Sequence, residues 1–228
     1  MEDFPFVSIV IASFNRKDII EESISSALNQ NYPNNKFEIL LVDNNSSDGT
    51  IKEVNLLFTD QIKMEKIKIL PLNYNSGSSG SCIEAIKKIN KKWNYILKMD
   101  EDIVLDKNCL IEMINVAKQN KIKGMIGGKV LFYKERNKIH AIGSYLKPWY
   151  AIAKGIGVNK INDDRFQSNM TLDGVSGCMV LIPKEIYDQV GWFDKDYFLY
   201  YDDHDLMYKS NQYGFQHIYT PKAIGYHD

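Results

Sequence analysis

The sharpest chemical feature of this 228-residue sequence is an acidic triplet, Asp100-Glu101-Asp102. The triplet follows residues 95–99 (YILKM), an apolar run that is typical of a buried strand. If the strand continues through the triplet, Asp100 and Asp102 point to one face of the sheet and Glu101 to the other. Two carboxylates on one edge suit Mg²⁺ or Mn²⁺, whose remaining positions are filled by water and phosphate oxygens. The alternative is a solvated acidic turn followed by a helix cap.

A second acidic cluster at residues 202–205 (DDHD) follows the aromatic-rich residues 192–201. Aromatic neighbours and other carboxylates raise the pKa of a carboxylate, so this cluster could supply a general base that works near neutral pH. The alternative is an Asp-rich helix N-terminus, which the helix dipole favours. Trp192 and the tyrosines that follow it could stack on a sugar or pack in the core.

His227 and a glycine-rich loop offer two further groups. His227 follows a strand-like run, and its imidazole could complete a metal site that has only two carboxylates. Residues 75–80 (NSGSSG) precede a helical pattern, and backbone amides at such a position could hold an anion. The alternative for this segment is a flexible loop. The other histidines, His140, His204 and His217, have no partner that the sequence identifies.

These groups need a scaffold, and the chain alternates strand-like and helix-like segments. Short apolar runs are expected to form strands that are buried on both faces, at residues 6–12, 37–42, 67–72 and 95–99. Helical stripes lie between them, and Asn15 is a candidate cap for the first helix. This order predicts an α/β fold with a mostly parallel sheet and helices on both faces. Ligands bind beyond the carboxyl ends of such strands, where residues 13–16, 43–48 and 100–102 all fall.

The second half of the chain has a looser pattern. Strands are expected at residues 125–132 and 175–183. A helix is expected at residues 202–213, ending at Gly214. Residues 134–172 show no clear period, and a polar loop is expected earlier, at residues 73–81.

Length and composition favour one domain, with a nucleotide-binding half (residues 1–102) and a half for the second substrate (residues 103–228). The net charge of −1 provides no basic field for nucleic acid. The three cysteines lack metal-site spacing, which favours small apolar core residues. The acidic start, residues 1–3, is unlike a secretory signal. The apolar run at residues 6–14 is far shorter than the about 20 residues of a membrane helix, so a cytoplasmic location is expected.

The order and spacing of these motifs resemble glycosyltransferase family 2, an inverting family with the GT-A fold, and the resemblance covers nearly the whole chain. Residues 7–16 (VSIVIASFNR) look like the opening strand and its nucleotide loop, with Ala-Ser in place of the usual Pro-Thr. Residues 38–50 (EILLVDNNSSDGT) look like the second strand. Residues 191–194 (GWFD) and 202–205 resemble the catalytic-base region, where Asp202 replaces a frequent Glu. The resemblance implies a Rossmann-like half with a mostly parallel sheet and an acceptor-side half with a small mixed sheet.

The resemblance also implies a role for each motif. Asp203 would be the catalytic base, with Asp202 as second choice, and the metal would be bound by Asp100, Asp102 and His227. The residues implied in nucleotide-sugar binding are Ala12, Ser13, Phe14, Arg16, Asp43, Asn75, Gly77, Asp100 and Glu101. The residues implied on the acceptor side are Ser176, Gly177, Trp192 and Asp205. Many family members continue beyond the position of the last residue, so a missing C-terminal segment is one expectation.

The reaction follows from the same resemblance. A metal-dependent enzyme would move a sugar, with inversion, from a UDP- or dTDP-sugar to a hydroxyl of a glycan or lipid-linked glycan. Mn²⁺ or Mg²⁺ would neutralise the leaving diphosphate. The second half is similar to rhamnosyl and galactofuranosyl transferases of bacterial surface polysaccharides. Peripheral association with the inner face of the plasma membrane is therefore expected.

Three other functions fit parts of the pattern. A haloacid-dehalogenase-like phosphatase would use Asp100 as a nucleophile and Asp202-Asp203 as a distal acidic pair. Its motif lies on the first strand, however, whereas three βα units precede Asp100 here. A nucleotide-sugar-binding module with a degenerate site would bind nucleotide without turnover. A nicotinamide dehydrogenase is disfavoured because the glycine fingerprint is absent after the first strand.

Overall fold

The computed structural model describes residues 4–119, 124–147 and 152–227, so the acidic start of the chain lies outside the described residues. The described helices are α1 (Ile20–Leu28), α2 (Thr50–Leu57), α3 (Thr59–Lys63), α4 (Gly77–Ala85), α5 (Cys109–Gln119), α6 (Lys184–Gln189) and α7 (Asp202–Gln212). The described strands are β1 (Val7–Ser13), β2 (Phe37–Asp43), β3 (Ile67–Pro71), β4 (Tyr95–Asp100), β5 (Ile103–Leu105), β6 (Ile126–Phe132), β7 (Ile139–Ala141), β8 (Gly143–Lys147), β9 (Ile152–Ile156), β10 (Met170–Leu172), β11 (Gly174–Val175), β12 (Met179–Pro183) and β13 (His217–His227). None of the helices in these parts of the chain is long and apolar enough to cross a membrane.

One large sheet combines strands from both halves of the chain. Its main path is β10-β13-β6-β12-β4-β1-β2-β3, with β5 beside β13 and β7 beside β6. β1 pairs in parallel with both β2 and β4, and β2 pairs in parallel with β3. β6 and β13 are also parallel, whereas β12 runs antiparallel between β4 and β6. The predicted α/β fold with a mostly parallel central sheet is confirmed.

Alternate residues of the central strands pack against helices on opposite faces of the sheet. Ile9 and Ile11 of β1 are fully buried with Ile20 and Ile24 of α1 on one face. On the other face, the intervening Val10 packs with apolar residues of β2 and α4. Because successive side chains of a strand point to opposite faces, a strand that is covered on both sides needs a continuous apolar run. β2 is buried at every position and is apolar from Ile39 to Val42, while its buried Glu38 accepts hydrogen bonds from Ser8 and Lys68.

Two local predictions near the strand ends are wrong. Asn15 does not cap α1: its backbone is left-handed (φ 55°), and its side chain accepts a hydrogen bond from the Ser47 amide at 2.8 Å. The helix begins only at Ile20. The loop predicted at residues 73–81 is shorter than expected, because α4 begins at Gly77. In both places polar residues satisfy backbone groups through contacts that are distant in sequence.

The aperiodic segment at residues 134–172 contains the strands β7 to β10. β8 pairs antiparallel with both β9 and β11, which makes a small three-stranded sheet. This small sheet is antiparallel throughout, whereas a mixed one was expected; the mixed pairing lies in the large sheet. Strands of only three to five residues are too short to show a reliable period. The single strand predicted at residues 175–183 is in fact β11 and β12, separated by a turn at residues 176–178.

His217, at the start of β13, is buried against α7. The Met125 amide donates to Nδ1 at 3.1 Å, so the ring proton lies on Nε2, which is 3.1 Å from the Met207 carbonyl. Burial lowers the pKa of His217 to about 4, although the bond to Met207 opposes this shift. The neutral ring therefore joins α7 to β13. The helix ends as predicted, with Gly214 in a left-handed conformation (φ 85°) after its last turn.

Candidate active site

A cavity of about 1030 Å³ opens at the carboxyl ends of β1 and β4, the edge at which the sequence analysis expects ligands to bind. A cavity of this size can accommodate a molecule as large as a nucleotide sugar. Most of the residues predicted to form the site line it: Ala12, Ser13, Phe14, Arg16, Asn75, Gly77, Asp100, Glu101, Asp102, Ser176, Gly177, Asp202, Asp203 and His227. Asp43, Trp192 and Asp205 are not among the described lining residues.

The acidic triplet turns the chain from one strand to the next. β4 ends at Asp100, and Glu101 and Asp102 form the turn before β5. The strand therefore does not continue through the triplet, yet the two aspartates still lie close together. β13 pairs antiparallel with β5, with His227 opposite Ile103, which brings His227 beside Asp102. The His227 Nε2 atom is 3.4 Å from Asp102 Oδ1.

The side chains of Asp100, Asp102 and His227 fit a single metal ion. One donor atom from each residue lies within 4.8 Å of the other two. An ion that is about 2.1 Å from each donor atom would hold the donors roughly 3–4 Å apart. Small rotations of the three side chains would bring the donor atoms to these distances. Two carboxylate oxygens and one imidazole nitrogen suit Mn²⁺ or Mg²⁺, with further positions left for water and phosphate oxygens.

A second donor set, formed by His140, Cys178 and His227, overlaps the first. The rings of His140 and His227 are stacked, with centroids 4.2 Å apart and planes 8° apart. An imidazole lone pair lies in the plane of its ring, so two stacked rings cannot both direct a lone pair at one ion without turning apart. Burial raises the pKa of the Cys178 thiol to about 12, which disfavours the thiolate that a metal would need. His140 therefore packs against His227 and helps to fix its ring.

Lys98 is a buried cation within the acidic cavity. Its Nζ donates to Asp100 Oδ1 at 3.1 Å and to the Gly177 carbonyl at 3.0 Å. Burial opposes the charged form of Lys98, but nearby carboxylates, above all that of Asp100, outweigh burial and raise its pKa above the ordinary value. Lys98 therefore stays protonated and offsets part of the negative charge that the cavity concentrates.

Asp203, in the first turn of α7, is paired with His204. Asp203 Oδ1 lies 2.9 Å from His204 Nδ1, and His204 Nε2 lies 3.2 Å from Ser144 Oγ on β8. Burial raises the pKa of Asp203, but the hydrogen bond and charge of His204, together with the charge of Lys98, outweigh burial and lower it overall. The raised pKa that the sequence analysis expects of this cluster is therefore wrong for Asp203. Its carboxylate stays ionised, and its partner His204 has a raised pKa.

Asp202 and Asp203 have different surroundings. Asp202 is buried and accepts a hydrogen bond from Ser78 Oγ at 2.8 Å, which ties the start of α7 to the start of α4. Asp203 instead packs against Gly177, where an added Cβ would lie 2.0 Å from Asp203 Oδ2. This oxygen is not the one that contacts His204. The geometry favours Asp203 over Asp202 as a proton acceptor, and its role as the base stays a prediction.

β1 lies between β2 and β4, so the polar groups at the carboxyl ends of these three strands are neighbours. Arg16 Nε is 3.0 Å from Glu101 Oε1, and burial raises the pKa of Glu101 although Arg16 opposes that shift. Ser13 and Asp43 are partners in the register of the two strands. Ser13 Oγ and Asp43 Oδ1 are buried without a hydrogen-bond partner among the described residues. A buried polar atom without a partner is costly, so both atoms need a partner such as a bound water or a ligand group.

The segment before α4 is held from two sides. Asn44 Oδ1 accepts hydrogen bonds from the Ser76 amide at 2.9 Å and from the Ser76 hydroxyl at 2.8 Å. The Ser78 amide donates to the Phe198 carbonyl at 2.9 Å. Gly77 has a φ of 70°, and an added Cβ would lie 2.0 Å from the same carbonyl oxygen. Glycine is required here because the two segments approach so closely.

Two residues that the resemblance implies on the acceptor side lie elsewhere. Trp192 packs against apolar clusters, and its Nε1 donates to the Cys82 carbonyl at 2.9 Å, so the ring fills the core. Asp205 forms an ion pair with Lys209 one turn further along α7, at 2.6 Å. Residues two apart on a helix point in nearly opposite directions, so Asp203 and Asp205 do not share the cavity.

Several lining residues were not predicted, namely Lys98, His140, Ser144, Phe198, Leu199 and His204, whereas Tyr200 and Tyr201 belong to the tyrosines expected either to stack on a sugar or to pack in the core. Lys98 does carry a local signal, since a charged residue inside an apolar strand needs a buried partner. His140 and Ser144 carry none, because they lie in the aperiodic segment and reach the site through sheet pairing.

Comparisons with known proteins identify the family of this chain. The model of glycosyl transferase family 2 matches residues 8–191. The chain is 27% identical over 219 residues to a poly-beta-1,6-N-acetyl-D-glucosamine synthase of Staphylococcus epidermidis, covering 96% of this chain and 48% of that protein. It is 33% identical over 148 residues to the Escherichia coli UDP-Glc:alpha-D-GlcNAc-diphosphoundecaprenol beta-1,3-glucosyltransferase WfgD, covering 65% of this chain and 53% of that protein. The chain thus spans about half the length of these relatives.

Two solved structures share the architecture. GalNAc-T7 with UDP, GalNAc and Mn²⁺ matches with a TM-score of 0.79 and 16% identity, over 100% of this chain and 44% of that chain. The mannosyltransferase PcManGT from Pyrobaculum calidifontis, in complex with GDP-Man and Mn²⁺, matches with a TM-score of 0.70 and 16% identity, over 96% of this chain and 56% of that chain. The arrangement of strands and helices is that of the GT-A glycosyltransferase fold. Within that class, the chain belongs to glycosyl transferase family 2. The predicted fold and family are confirmed.

Proposed function

We propose that this chain is the catalytic domain of a metal-dependent, inverting glycosyltransferase that acts in bacterial glycan synthesis. One observation carries the proposal: a single cavity is lined by Asp100, Asp102 and His227 and also by the Asp203 carboxylate. The first set suits a divalent ion with a diphosphate, and a positioned carboxylate suits removal of a proton from a hydroxyl.

The donor in this proposal is a nucleotide-diphosphate sugar. Ser13, which lines the cavity, and its neighbour Asp43 are assigned to its nucleoside. Asp100, Asp102 and His227 would hold Mn²⁺ or Mg²⁺, which when bound supplies positive charge to the leaving diphosphate. UDP is the first choice of nucleotide, because the name of the E. coli relative includes UDP-Glc and the GalNAc-T7 structure contains UDP. dTDP is the second choice.

In the chemical step, Asp203 accepts the proton of the acceptor hydroxyl. The hydroxyl oxygen forms a bond to the anomeric carbon while the bond from that carbon to the diphosphate oxygen breaks. Attack from the face opposite the leaving group inverts the anomeric centre. His204 holds Asp203 ionised before the acceptor binds. A positioned general base contributes roughly 10²–10⁴-fold to such a step.

The acceptor is a glycan, either free or lipid-linked. The names of the synthase and of the diphosphoundecaprenol glucosyltransferase among the relatives support this class. Residues 1–102 bind the donor and residues 103–228 bind the acceptor, within one catalytic domain. The enzyme works in the cytoplasm, in peripheral contact with the inner face of the plasma membrane. The narrower likeness to rhamnosyl and galactofuranosyl transferases stays a prediction.

The competing functions fit less well. A phosphatase that uses Asp100 as its nucleophile is disfavoured because the chain belongs to a glycosyltransferase family. A binding module would share the cavity but would not turn over. An assay of sugar transfer therefore distinguishes a binding module from an enzyme.

Calorimetric titration of UDP and dTDP, each with and without Mn²⁺, tests the donor site. We expect micromolar binding that needs the metal and is lost in Asp102→Ala. Asp196→Ala is the matched control, because Asp196 is exposed and is not among the described residues that line the cavity. Transfer assays with sugar forms of the nucleotide that binds would come next. Absence of binding by both nucleotides in the presence of Mn²⁺ would contradict the proposal.

A further inference from the structure

Residues 198–201 (FLYY) form an exposed rim on the cavity, called the aromatic rim below. Their side chains are between 53% and 74% exposed, yet all four line the same cavity as Asp203. Burying such side chains would stabilise the fold, so leaving four in succession exposed needs another reason. Large apolar side chains at the mouth of a cavity mark a recognition surface.

The backbone of the aromatic rim is strained. Tyr200 and Tyr201 have φ values of 65° and 62°, a region that bulky residues rarely occupy. Such strain persists only where the surrounding structure imposes it, and it concentrates at functional sites. Ser78 contacts both sides of the strained pair, because its amide donates to the Phe198 carbonyl at 2.9 Å and its hydroxyl donates to Asp202 at 2.8 Å. Both ends of the rim are thus fixed to the start of α4.

The rim adjoins the predicted base and a set of hydroxyl groups. The Tyr201 ring centroid is 5.8 Å from that of His204, which is paired with Asp203. Ser144 and Ser176 line the same cavity. A sugar ring has an apolar C–H face and an edge of hydroxyl groups. It therefore fits an aromatic platform that adjoins serine hydroxyls better than a purely aliphatic chain does.

We propose that Tyr200 and Tyr201 form a stacking platform for the sugar ring at the end of the acceptor. The strained backbone holds the two rings at the cavity mouth, and the acceptor ring that stacks on them presents its hydroxyl to Asp203. This inference rests on the proposed function and adds the acceptor subsite to it. The platform belongs to the acceptor rather than the donor, because the rim runs directly into α7, which carries the predicted base. The residues that would hold the metal lie on β4, on the turn before β5 and on β13.

Saturation-transfer NMR tests the platform directly. Protein aromatic protons are irradiated in the presence of UDP, Mn²⁺ and the methyl β-glycosides of glucose, N-acetylglucosamine, galactose or rhamnose. We expect saturation of the ring C–H protons of at least one glycoside. Its affinity should fall about tenfold in Tyr200→Ala and in Tyr201→Ala, the effect of losing one stacked ring. Tyr213→Ala is the matched control, because Tyr213 is 64% exposed and lies beyond the end of α7.

Tyr200→Gly separates strain from recognition. Glycine accepts a positive φ without cost, so the melting temperature should stay equal or rise while the affinity for the glycoside falls. Equal glycoside binding by the tyrosine variants and the wild type would overturn the inference, as would the absence of binding by every glycoside. If the tyrosine variants lost binding to phosphatidylglycerol–phosphatidylethanolamine vesicles but kept binding to the glycosides, the inference would also be overturned, and the rim would instead contact a lipid surface. If the glycoside result is negative while the wild type and the variants bind UDP with Mn²⁺, only the acceptor inference fails. A wild type that binds no UDP contradicts the proposed function.

Discussion

Replacing Gly177 with alanine should separate the positioning of Asp203 from binding of the donor. An added Cβ would lie 2.0 Å from Asp203 Oδ2 and 2.7 Å from its Cγ, whereas ordinary contacts lie at 3.4–4 Å. Gly177 does not have a positive φ, so alanine adds no backbone strain there, and the clash must be relieved by moving the carboxylate more than an ångström. Misplacing a catalytic group by about 1 Å can cost roughly 10²-fold in rate. We therefore expect kcat to fall about 100-fold while UDP binding with Mn²⁺ is retained.

A double-mutant cycle checks the cause. Initial rates of sugar transfer are measured for the wild type, Gly177→Ala, Asp203→Ala and the double variant, and UDP binding is measured for each by calorimetry. Once the Asp203 carboxylate is gone, the added methyl group has little left to displace. Gly177→Ala should then change the residual rate by less than about threefold. Losses that simply multiply, or a Gly177→Ala enzyme with nearly normal kcat, would refute the reasoning.

Three further predictions concern charge. The pKa of His217 is about 4 in the folded chain and 6.5 ordinarily, so the unfolded chain binds the proton first as the pH falls. Urea unfolding should therefore show that the wild type loses about 2 kcal/mol of stability between pH 7 and pH 5. The His217→Gln variant should not show this loss. Lys98→Met leaves Asp100 without its buried partner. Because Asp100 is partly exposed, we expect the free energy of unfolding in urea to fall by about 3 kcal/mol, the smaller end of the range for breaking a buried ion pair. His204→Phe removes the bond and charge that lower the pKa of Asp203, so the acidic limb of kcat/KM against pH should move to higher pH.

Each of these has a clear contrary outcome. Identical pH dependence of unfolding in the wild type and His217→Gln would mean that His217 is not held neutral. Wild-type stability in Lys98→Met would mean that the buried cation is not needed to offset the carboxylates. An acidic limb that stays in place in His204→Phe would mean that His204 does not set the ionisation of the base.

The first half of the fold and much of the site could be predicted because their signals are local. Continuous apolar runs predict strands that are buried on both faces, and parallel strands bring their carboxyl ends to one edge. These two rules are enough to predict that Ser13, Asp100 and Asp102 lie near one another. His227 was reached through the resemblance to the family and through its strand-like neighbours.

The rest depends on tertiary contacts that have no local pattern. The pKa of Asp203 is lowered rather than raised, because folding brings His204 and Lys98 to it. Trp192 is of a residue type that often stacks on sugars, but it packs in the core. The short strands β7 to β10 have too few residues to show a hydrophobic period. The sequence therefore could not place His140 on β7 beside Asp100, Asp102 and His227.

Anomalous diffraction from crystals soaked with Mn²⁺ and UDP would test the central claim most directly. We predict one manganese peak within coordination distance of the Asp102 carboxylate and His227 Nε2, with the UDP diphosphate completing its ligands. The peak should vanish in His227→Ala crystals that are soaked in the same way. A manganese peak elsewhere, or UDP bound in this cavity without any metal, would contradict the account.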